Sequence, residues 1–153
     1  MNVGRAMIHP AVEGEAEVVR DVVHAAYRHY VARIGRQPGP MLDDYARRIA
    51  DGQAWVLDQA DRIIAVLVLE ELPDRFLLDN IAVAPEAQGH GHGRALIAFA
   101  EAEARRRGWR EITLYTHALM TENLVLYRRI GFVETGRVME KGFDRVYMAK
   151  SLV

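Results

Sequence analysis

The sequence predicts an α+β protein whose mixed, mostly antiparallel central sheet is flanked by helices. Three strand-like runs follow one another in mid-chain, at 54–58, 62–70 and 76–84, with polar links of turn length between them. Such spacing is typical of an antiparallel meander. Helical patterns precede and follow the meander, and two more strand-like runs close the chain. This succession of parts indicates one layered α+β sheet rather than an all-helical or all-β protein.

Bulk properties are those of an ordinary globular chain. Its 153 residues predict a single domain, 1–153, with 50% apolar and 27% charged residues. A net charge of −1 gives no reason to expect nucleic acid or an anionic membrane as a partner. The absence of cysteine excludes a disulfide scaffold and a cysteine nucleophile. No run is long enough to span a bilayer and no apolar leader is recognisable, so a cytoplasmic location is expected.

The N-terminal third reads as a short strand and two helices. Residues 7–9 predict a strand, and 15–30 have the apolar spacing of a helix. Prolines and glycines at 35–40 exclude helix and central strand there, so this stretch is predicted to be a loop. A short helix at 42–50 follows, which Gly52 can end.

The remaining elements are predicted from their boundaries. The run at 63–69 is apolar on both faces, as a central strand is. Arginines at the end of the next helix complement its dipole, and Gly108 and Gly131 are natural helix ends. The predicted elements are a helix at 91–107, a strand at 111–116, a helix at 121–130 and a pair of strands at 132–137 and 143–152.

A glycine-rich loop precedes the helix at 91–107. The sequence Gln88-Gly89-His90-Gly91-His92-Gly93-Arg94 contains no acidic residue. Bare backbone N–H groups and a helix N-terminus together favour an anion, so a ligand bearing phosphate is predicted there. The glycine spacing fits neither a P-loop, which needs a Gly-Lys pair, nor the dinucleotide fingerprint of a doubly wound sheet.

Gln-x-x-Gly-x-Gly, formed here by Gln88, Gly91 and Gly93, resembles the pyrophosphate loop of the GNAT superfamily of N-acetyltransferases. The preceding residues 80–86 are similar to the central strand of that family and the turn after it. A second landmark, Asn-Leu-Val-Leu-Tyr-Arg-Arg-Ile-Gly-Phe at 123–132, follows in the expected order. The resemblance is strong over residues 75–152. It implies a GNAT-like fold and acetyl-CoA as cosubstrate.

The resemblance also implies which residues contact acetyl-CoA. The loop would hold the diphosphate, the central strand would bind the pantetheine arm through its main chain, and the helix at 121–130 would add an anchoring asparagine. The implied cofactor-binding residues are Ile81, Ala82, Val83, Gln88, Gly89, His90, Gly91, His92, Gly93, Arg94, Asn123, Leu126, Tyr127 and Arg129. Two loop histidines with no obvious third ligand make a poor metal site, so no metal is expected.

Catalytic roles follow from the same resemblance. Tyr127, four residues after Asn123 and on the same helical face, is predicted to protonate the departing CoA sulfur. The N–H of Val83 is the implied oxyanion donor. Many family members carry a glutamate where this chain has Leu77, so Asp79 is the first candidate for the base. Glu70 and Glu71 come next, and deprotonation through ordered water stays an alternative.

The acceptor is expected over the N-terminal helices. Tyr27, Tyr30 and Arg33, together with Glu70, are the candidate substrate residues, because tyrosines and arginines can grip a small amine that bears a carboxylate. Two further residues, Arg36 and Tyr45, surround the proline-rich loop in the same region. The competing interpretation is that the tyrosines are core and the arginines solvated.

The sequence thus predicts direct transfer of an acetyl group from acetyl-CoA to a primary amine of a small molecule or peptide. The alternative is a non-catalytic acyl-CoA-binding or sensing module, which Leu77 favours and Tyr127 disfavours. A homodimer is a further hypothesis, with the C-terminal strands that carry Phe143, Val146 and Tyr147 pairing with a second subunit.

Overall fold

The computed structural model describes residues 6–153, and these form seven strands, four α-helices and two short 3-10 turns. None of the helices in that part of the chain is long and apolar enough to cross a membrane. The elements are β1 (Met7–Pro10), α1 (Ala16–Ile34), a 3-10 turn (Gly39–Leu42), α2 (Tyr45–Ala50), β2 (Ala54–Gln59), β3 (Arg62–Glu71), β4 (Phe76–Val83), a second 3-10 turn (Pro85–Ala87), α3 (His92–Arg106), β5 (Glu111–His117), α4 (Thr121–Ile130), β6 (Val133–Glu140) and β7 (Phe143–Ser151).

The strands form one sheet in the order β1-β2-β3-β4-β5-β7-β6. β1 with β2, β2 with β3, β5 with β7 and β6 with β7 are antiparallel, whereas β4 and β5 are parallel. The predicted α+β class, with a mixed and mostly antiparallel sheet flanked by helices, is therefore confirmed. β5 in turn pairs antiparallel with β7, so the parallel pair of β4 and β5 lies in the middle of the sheet.

Two helix boundaries differ from the predicted ones by three residues or more, the end of α1 and the start of α2, both for reasons of capping. α1 continues past Tyr30 to Ile34, where Gly35 adopts the left-handed conformation (φ 87°) and donates its N–H to the Val31 carbonyl at 2.8 Å. That arrangement is a common way for a helix to end. α2 begins only at Tyr45, because the Asp44 side chain accepts from the Arg47 N–H and caps it.

Backbone contacts divide the chain into two compact units, one made of residues up to 69 together with 80–97, the other of 70–79 together with 98–153. The expectation of a single domain stays a prediction. In the first unit the register places Ile8 opposite Leu57 and Val56 opposite Val66. α1 contributes fully buried valines to the core of this unit, Val19 and Val23.

The second unit is built on β5, β7 and β6. Its core side of the sheet presents Ile112, Leu114, Val146 and Met148, all buried. These positions alternate along β5 and β7, as expected where one face of a strand is packed and the other is not. Lys150 at the end of β7 donates to both carboxylate oxygens of Glu101 in α3, at 3.0 and 3.1 Å.

β7 is hydrogen-bonded on both edges, to β5 on one side and to β6 on the other. It therefore has no edge for a second subunit, and Phe143 and Val146 are buried within the chain. Of the two C-terminal strands only β6 has an outer edge, and its register with β7 shifts between Glu134 and Gly136. The homodimer stays a prediction, but strand addition at β7 is excluded.

Gly131 ends α4 with φ 115°, and an added Cβ would lie 3.3 Å from Cε of Lys150. We expect Gly131→Ala to lower the free energy of unfolding by about 1–2 kcal/mol, because an L-residue is strained in the left-handed region. Urea denaturation of the purified variant measures this. Gly136→Ala is the matched control, since an added Cβ there meets nothing within 4 Å and the backbone is not left-handed. Equal stability of the two variants would contradict the expectation.

Candidate active site

The loop before α3 contains two glycines in the left-handed region, Gly89 at φ 83° and Gly91 at φ 82°. An ideal Cβ at either position meets nothing within 4 Å. The backbone conformation, rather than crowding by protein atoms, therefore favours glycine at both sites. α3 begins directly afterwards at His92, and the Gly91 carbonyl accepts from the Ala95 N–H at 3.0 Å.

The surroundings of this loop suit an anion. α3 is 15 residues long and carries no acidic residue in its first turn, so the positive end of its dipole is not offset. Gln88, Gly89, His90, Gly91 and Arg94 are exposed, and His92 and Gly93 are half-buried. Main-chain N–H groups at the N-terminus of a long helix are an arrangement that accepts phosphate. The residues present thus fit the diphosphate of acetyl-CoA.

His90 and His92 lie with their ring centroids 6.2 Å apart. Among residues 6–153 there is no group of three or more His, Asp or Glu side chains placed to hold a metal ion.

A hydrogen bond at the end of β4 determines in which direction the main-chain polar groups next to the loop point. The Ala84 N–H donates to the Ile64 carbonyl of β3 at 2.8 Å. Because main-chain polar groups alternate in direction along a strand, the N–H and C=O of Val83 point away from β3. The Val83 carbonyl accepts from Nε2 of Gln88 at 3.0 Å, so the first residue of the loop is held against the strand. Ile81 and Val83 are half-buried and Ala82 is buried.

Two of the predicted substrate residues lie in the core. Tyr27 is only 7% exposed, and its hydroxyl lies 2.8 Å from Oδ1 of Asn80 and 2.9 Å from the Ile81 carbonyl. Tyr30 is also buried, and the guanidinium of the exposed Arg33 lies 5.0 Å from the centre of its ring. The tyrosines of α1 therefore pack and bond internally, which favours the competing interpretation given for them.

The proline-rich loop is also more ordered than predicted. Residues 39–42 form a 3-10 turn instead of an irregular loop. The Tyr45 hydroxyl donates to the Pro40 carbonyl at 2.5 Å, and a ring nitrogen of His24 lies 2.9 Å from the Met41 carbonyl oxygen. Tyr45 is buried and serves to fix this turn, while Arg36 is exposed.

α4 presents the second predicted landmark in the second unit. It spans the predicted residues, and the i, i+4 spacing places Asn123 and Tyr127 on one helical face. Tyr127 is buried with its ring 5.7 Å from that of Phe132, in an edge-on arrangement. Nδ2 of Asn123 lies 3.6 Å from the sulfur of Met120. Leu126 is half-buried and Arg129 is exposed.

The candidate bases belong to the second unit, with Glu70 and Glu71 at the end of β3 and Asp79 within β4. Glu70 and Asp79 are half-buried, whereas Glu71 is exposed and accepts a hydrogen bond from the indole nitrogen of Trp109. Leu77 is buried. Asp79, Glu70 and Glu71 all stay candidate proton acceptors.

Sequence reasoning missed a cluster on the half-buried face of β5 and β7, made of Tyr115, His117, Phe143, Arg145 and Tyr147. The rings of Tyr115 and Tyr147 face each other across the strands at 5.5 Å. The guanidinium of Arg145 lies 4.5 Å from the centre of the Tyr115 ring and 5.8 Å from that of Phe143. The alternate spacing of these residues in the sequence was a usable signal, since alternate residues of a strand share a face.

Two titratable side chains of this cluster have a shifted pKa, Tyr147 and His117. Burial and the hydrogen bond to Glu140 raise the pKa of Tyr147. His117 shifts in the opposite direction. Burial lowers its pKa. The negative charge of Asp144 opposes this shift, and the positive charge of Arg145 adds to it. Its Nδ1 accepts from the Leu119 N–H at 3.0 Å, so the neutral ring carries its hydrogen on Nε2. The neutral histidine therefore offers a donor at Nε2 and is unsuited to accept the proton of a substrate there.

A cleft of about 470 Å³ lies in the first unit, and two of its lining residues, Ala84 and Glu86, come just before the glycine-rich loop in sequence. Five carboxylates line it with a single arginine, and this charge repels phosphate. The cleft is therefore not the nucleotide site. Its lining is Glu15, Val18, Asp21, Val22, Ala25, Asp58, Asp61, Arg62, Ile63, Ala84 and Glu86.

Comparisons with known proteins point to one family of enzymes. The profile of the acetyltransferase (GNAT) domain matches residues 50–134. A sequence search of curated proteins returns no match. Among solved structures, nourseothricin acetyltransferase is 28% identical over 65% of each chain with a TM-score of 0.61. The fold is also similar to that of the ribosomal-protein-S18-alanine N-acetyltransferase of Escherichia coli, at 21% identity, 97% and 94% coverage and a TM-score of 0.76. The PaiA N-acetyltransferase of Thermoplasma acidophilum, solved with coenzyme A, gives 17% identity, 96% and 99% coverage and a TM-score of 0.78.

The fold and the domain match define a protein of the acyltransferase class. The matched domain covers more than half of the chain, and the chain belongs to the GNAT family of acetyltransferases. It is an acetyl-CoA-dependent N-acetyltransferase that acts on an amine acceptor. The enzyme hypothesis drawn from the sequence is thereby confirmed over the alternative of a non-catalytic binding module.

The lowered pKa of His117 makes the stability of the fold depend on pH. In the unfolded chain this histidine binds a proton near its ordinary pKa of 6.5, whereas in the folded chain it does so only at lower pH. Its stabilising contribution is therefore present above pH 6.5 and is lost as the pH falls through the folded value. We expect His117→Gln to flatten the decline in unfolding free energy between pH 7.5 and 5.5, measured by urea denaturation. His90→Gln, which changes an exposed loop histidine, is the control. An unchanged pH slope in His117→Gln would contradict the assignment.

Proposed function

We propose that residues 88–94 hold the diphosphate of acetyl-CoA through backbone N–H groups at the N-terminus of α3. The observation that carries this is the pair of left-handed glycines, Gly89 and Gly91, immediately before a long helix without an acidic first turn. A glycine at these positions leaves the main chain open to a close approach by phosphate oxygens. The coenzyme A bound to the Thermoplasma protein supports the choice of this ligand.

The transfer itself needs a hydrogen-bond donor that stabilises negative charge on the acetyl oxygen. It also needs an acid that protonates the leaving sulfur. Bound acetyl-CoA supplies the thioester, whose carbonyl carbon the amine nitrogen attacks as the C–S bond breaks. The Val83 N–H, directed away from β3, is the proposed donor to the acetyl oxygen. Tyr127 is the proposed acid that protonates the departing sulfur. Asn123, one turn earlier on the same helical face, is the proposed anchor of the cosubstrate.

Transfer is proposed to be direct, from thioester to amine, because the 153 residues contain no cysteine that could carry an acetyl group. The amine must lose a proton on the way. Asp79 is the first proposed acceptor of that proton and Glu70 the second, either directly or through water. The proposed acceptor substrate is a primary amine of a small molecule or a peptide.

Calorimetric titration with acetyl-CoA and with CoA tests the loop. We expect the wild-type protein to bind both in the micromolar range, about −8 kcal/mol, and Gly91→Glu to lose binding. A glutamate there adds a negative charge and a side chain where the diphosphate is expected.

Gly52→Glu is the matched control for this experiment. Gly52 is also left-handed, at φ 70°, and also has open space around its Cβ position, but it lies in the turn before β2. The two variants therefore carry the same charge change and the same kind of backbone strain. If Gly52→Glu loses binding as completely as Gly91→Glu, or if the wild type binds neither ligand, the proposal for the loop is wrong.

Tyr127→Phe tests the proposed acid. It removes one oxygen from a buried side chain and leaves the ring packed on Phe132, so we expect acetyl-CoA binding to persist. The rate constant kcat for a confirmed amine acceptor should fall by about 100-fold or more, because a proton donor to the leaving group is lost. Steady-state kinetics beside the binding titration separate the two effects. A kcat within about threefold of wild type would remove Tyr127 from the mechanism.

A further inference from the structure

A chain of hydrogen bonds in the first unit links α1, the turn before α2 and β4. Nδ2 of Asn80 donates to the Tyr45 hydroxyl oxygen at 3.0 Å, and Tyr45 in turn donates to the Pro40 carbonyl at 2.5 Å. On its other side Oδ1 of Asn80 faces the Tyr27 hydroxyl at 2.8 Å. The three side chains are 2% (Asn80), 3% (Tyr45) and 7% (Tyr27) exposed.

The directions of these hydrogen bonds are determined by the available protons. Tyr45 uses its one proton on Pro40, so its oxygen is left to accept from the Asn80 amide. This fixes Oδ1 of Asn80 toward Tyr27. The Tyr27 proton then has two acceptors, Oδ1 of Asn80 and the Ile81 carbonyl oxygen at 2.9 Å. Tyr27 is thus the member of the chain that reaches the main chain of β4.

The contact between Tyr27 and the Ile81 carbonyl matters because of the direction in which the main-chain polar groups of β4 point. Ile81 and Val83 are two residues apart, so their polar groups point to the same side of β4, away from β3. Each of the two carbonyls on that side accepts from a side chain, Ile81 from Tyr27 and Val83 from Gln88. The negative ends of these carbonyl dipoles are therefore offset, while the N–H groups of the same residues face in the same direction. Such an environment favours negative charge.

We propose that Tyr27 is a positioning residue for acetyl transfer, which holds the Ile81 peptide and offsets its carbonyl dipole next to the Val83 N–H. The proposal rests on the function proposed above, in which that N–H donates to the acetyl oxygen. A buried hydrogen bond fixes the orientation of a peptide group more narrowly than apolar packing does, and the bond that matters here is the one from Tyr27 to the Ile81 carbonyl. Tyr27 therefore acts through β4 and requires no contact with substrate.

The test compares two phenol deletions within one network, Tyr27→Phe and Tyr45→Phe. Each removes one buried hydroxyl and the hydrogen bonds that it makes. The Tyr27 hydroxyl donates to the Ile81 carbonyl of β4, whereas the Tyr45 hydroxyl donates to the Pro40 carbonyl. We expect kcat to fall about tenfold in Tyr27→Phe with the Kd of acetyl-CoA and the KM of the amine within about threefold of wild type. In Tyr45→Phe we expect kcat within about threefold. A purely structural role predicts equal effects in both variants, and that result would overturn the proposal.

A third variant keeps the proposal falsifiable if Tyr27→Phe does not fold. Asn80→Leu removes both hydrogen bonds of Asn80 but leaves the Tyr27 hydroxyl next to the Ile81 carbonyl. We expect it to keep kcat within about threefold despite lower stability, and a tenfold loss of kcat would overturn the proposal. Failure of the underlying function is recognised separately, because the wild-type protein would then neither bind acetyl-CoA nor acetylate the amine.

Discussion

The structure depends on one constraint, which is that β4 has to serve as core and, in the proposed mechanism, as binding surface at once. Its side chains at Phe76, Leu78 and Ala82 are buried, so they are fixed by packing. The proposed mechanism uses its main chain instead, because the polar groups of a strand point along the sheet and not into the core. A site built from backbone is insensitive to side-chain identity but highly sensitive to register and peptide orientation. The residues around β4 are arranged to hold that orientation.

Two kinds of contact hold the peptide orientation of β4. At its end the strand is held by the Ala84 hydrogen bond to Ile64 and by Gln88, whose side chain returns to the Val83 carbonyl. Before that point the strand is held by Tyr27, whose hydroxyl lies next to the Ile81 carbonyl. Gln88 thus belongs both to the loop and to the support of the strand. This dual role gives a physical reason for a glutamine at the start of a glycine-rich loop. A residue that contributed only its main chain would not need the glutamine side chain.

Local signals in the sequence were sufficient for much of the fold. α4 begins and ends at the predicted residues, because Gly131 stops it and its apolar spacing is regular. The loop before α3 was predicted from its glycines alone, and its left-handed backbone agrees. The role of Tyr27 could not be predicted in the same way. A tyrosine on an amphipathic helix has the same pattern whether its hydroxyl meets substrate or an asparagine 53 positions away. The cluster around Arg145 required the register of β5 with β7, which no local pattern contains.

The outer strand β6 has a consequence for the behaviour of the chain at high concentration. It exposes Val133, Val138 and Met139 along an edge whose hydrogen-bonding groups face outward. An open, flat, apolar edge is a template for uncontrolled strand addition. Here the register shift between Glu134 and Gly136 bends the ladder, and the ion pair of Arg137 with Glu134 places charge on it. The register shift in β6 therefore protects the chain against fibre-like self-assembly. A regular β6 would lack that protection, although none of the proposed catalytic residues would have changed.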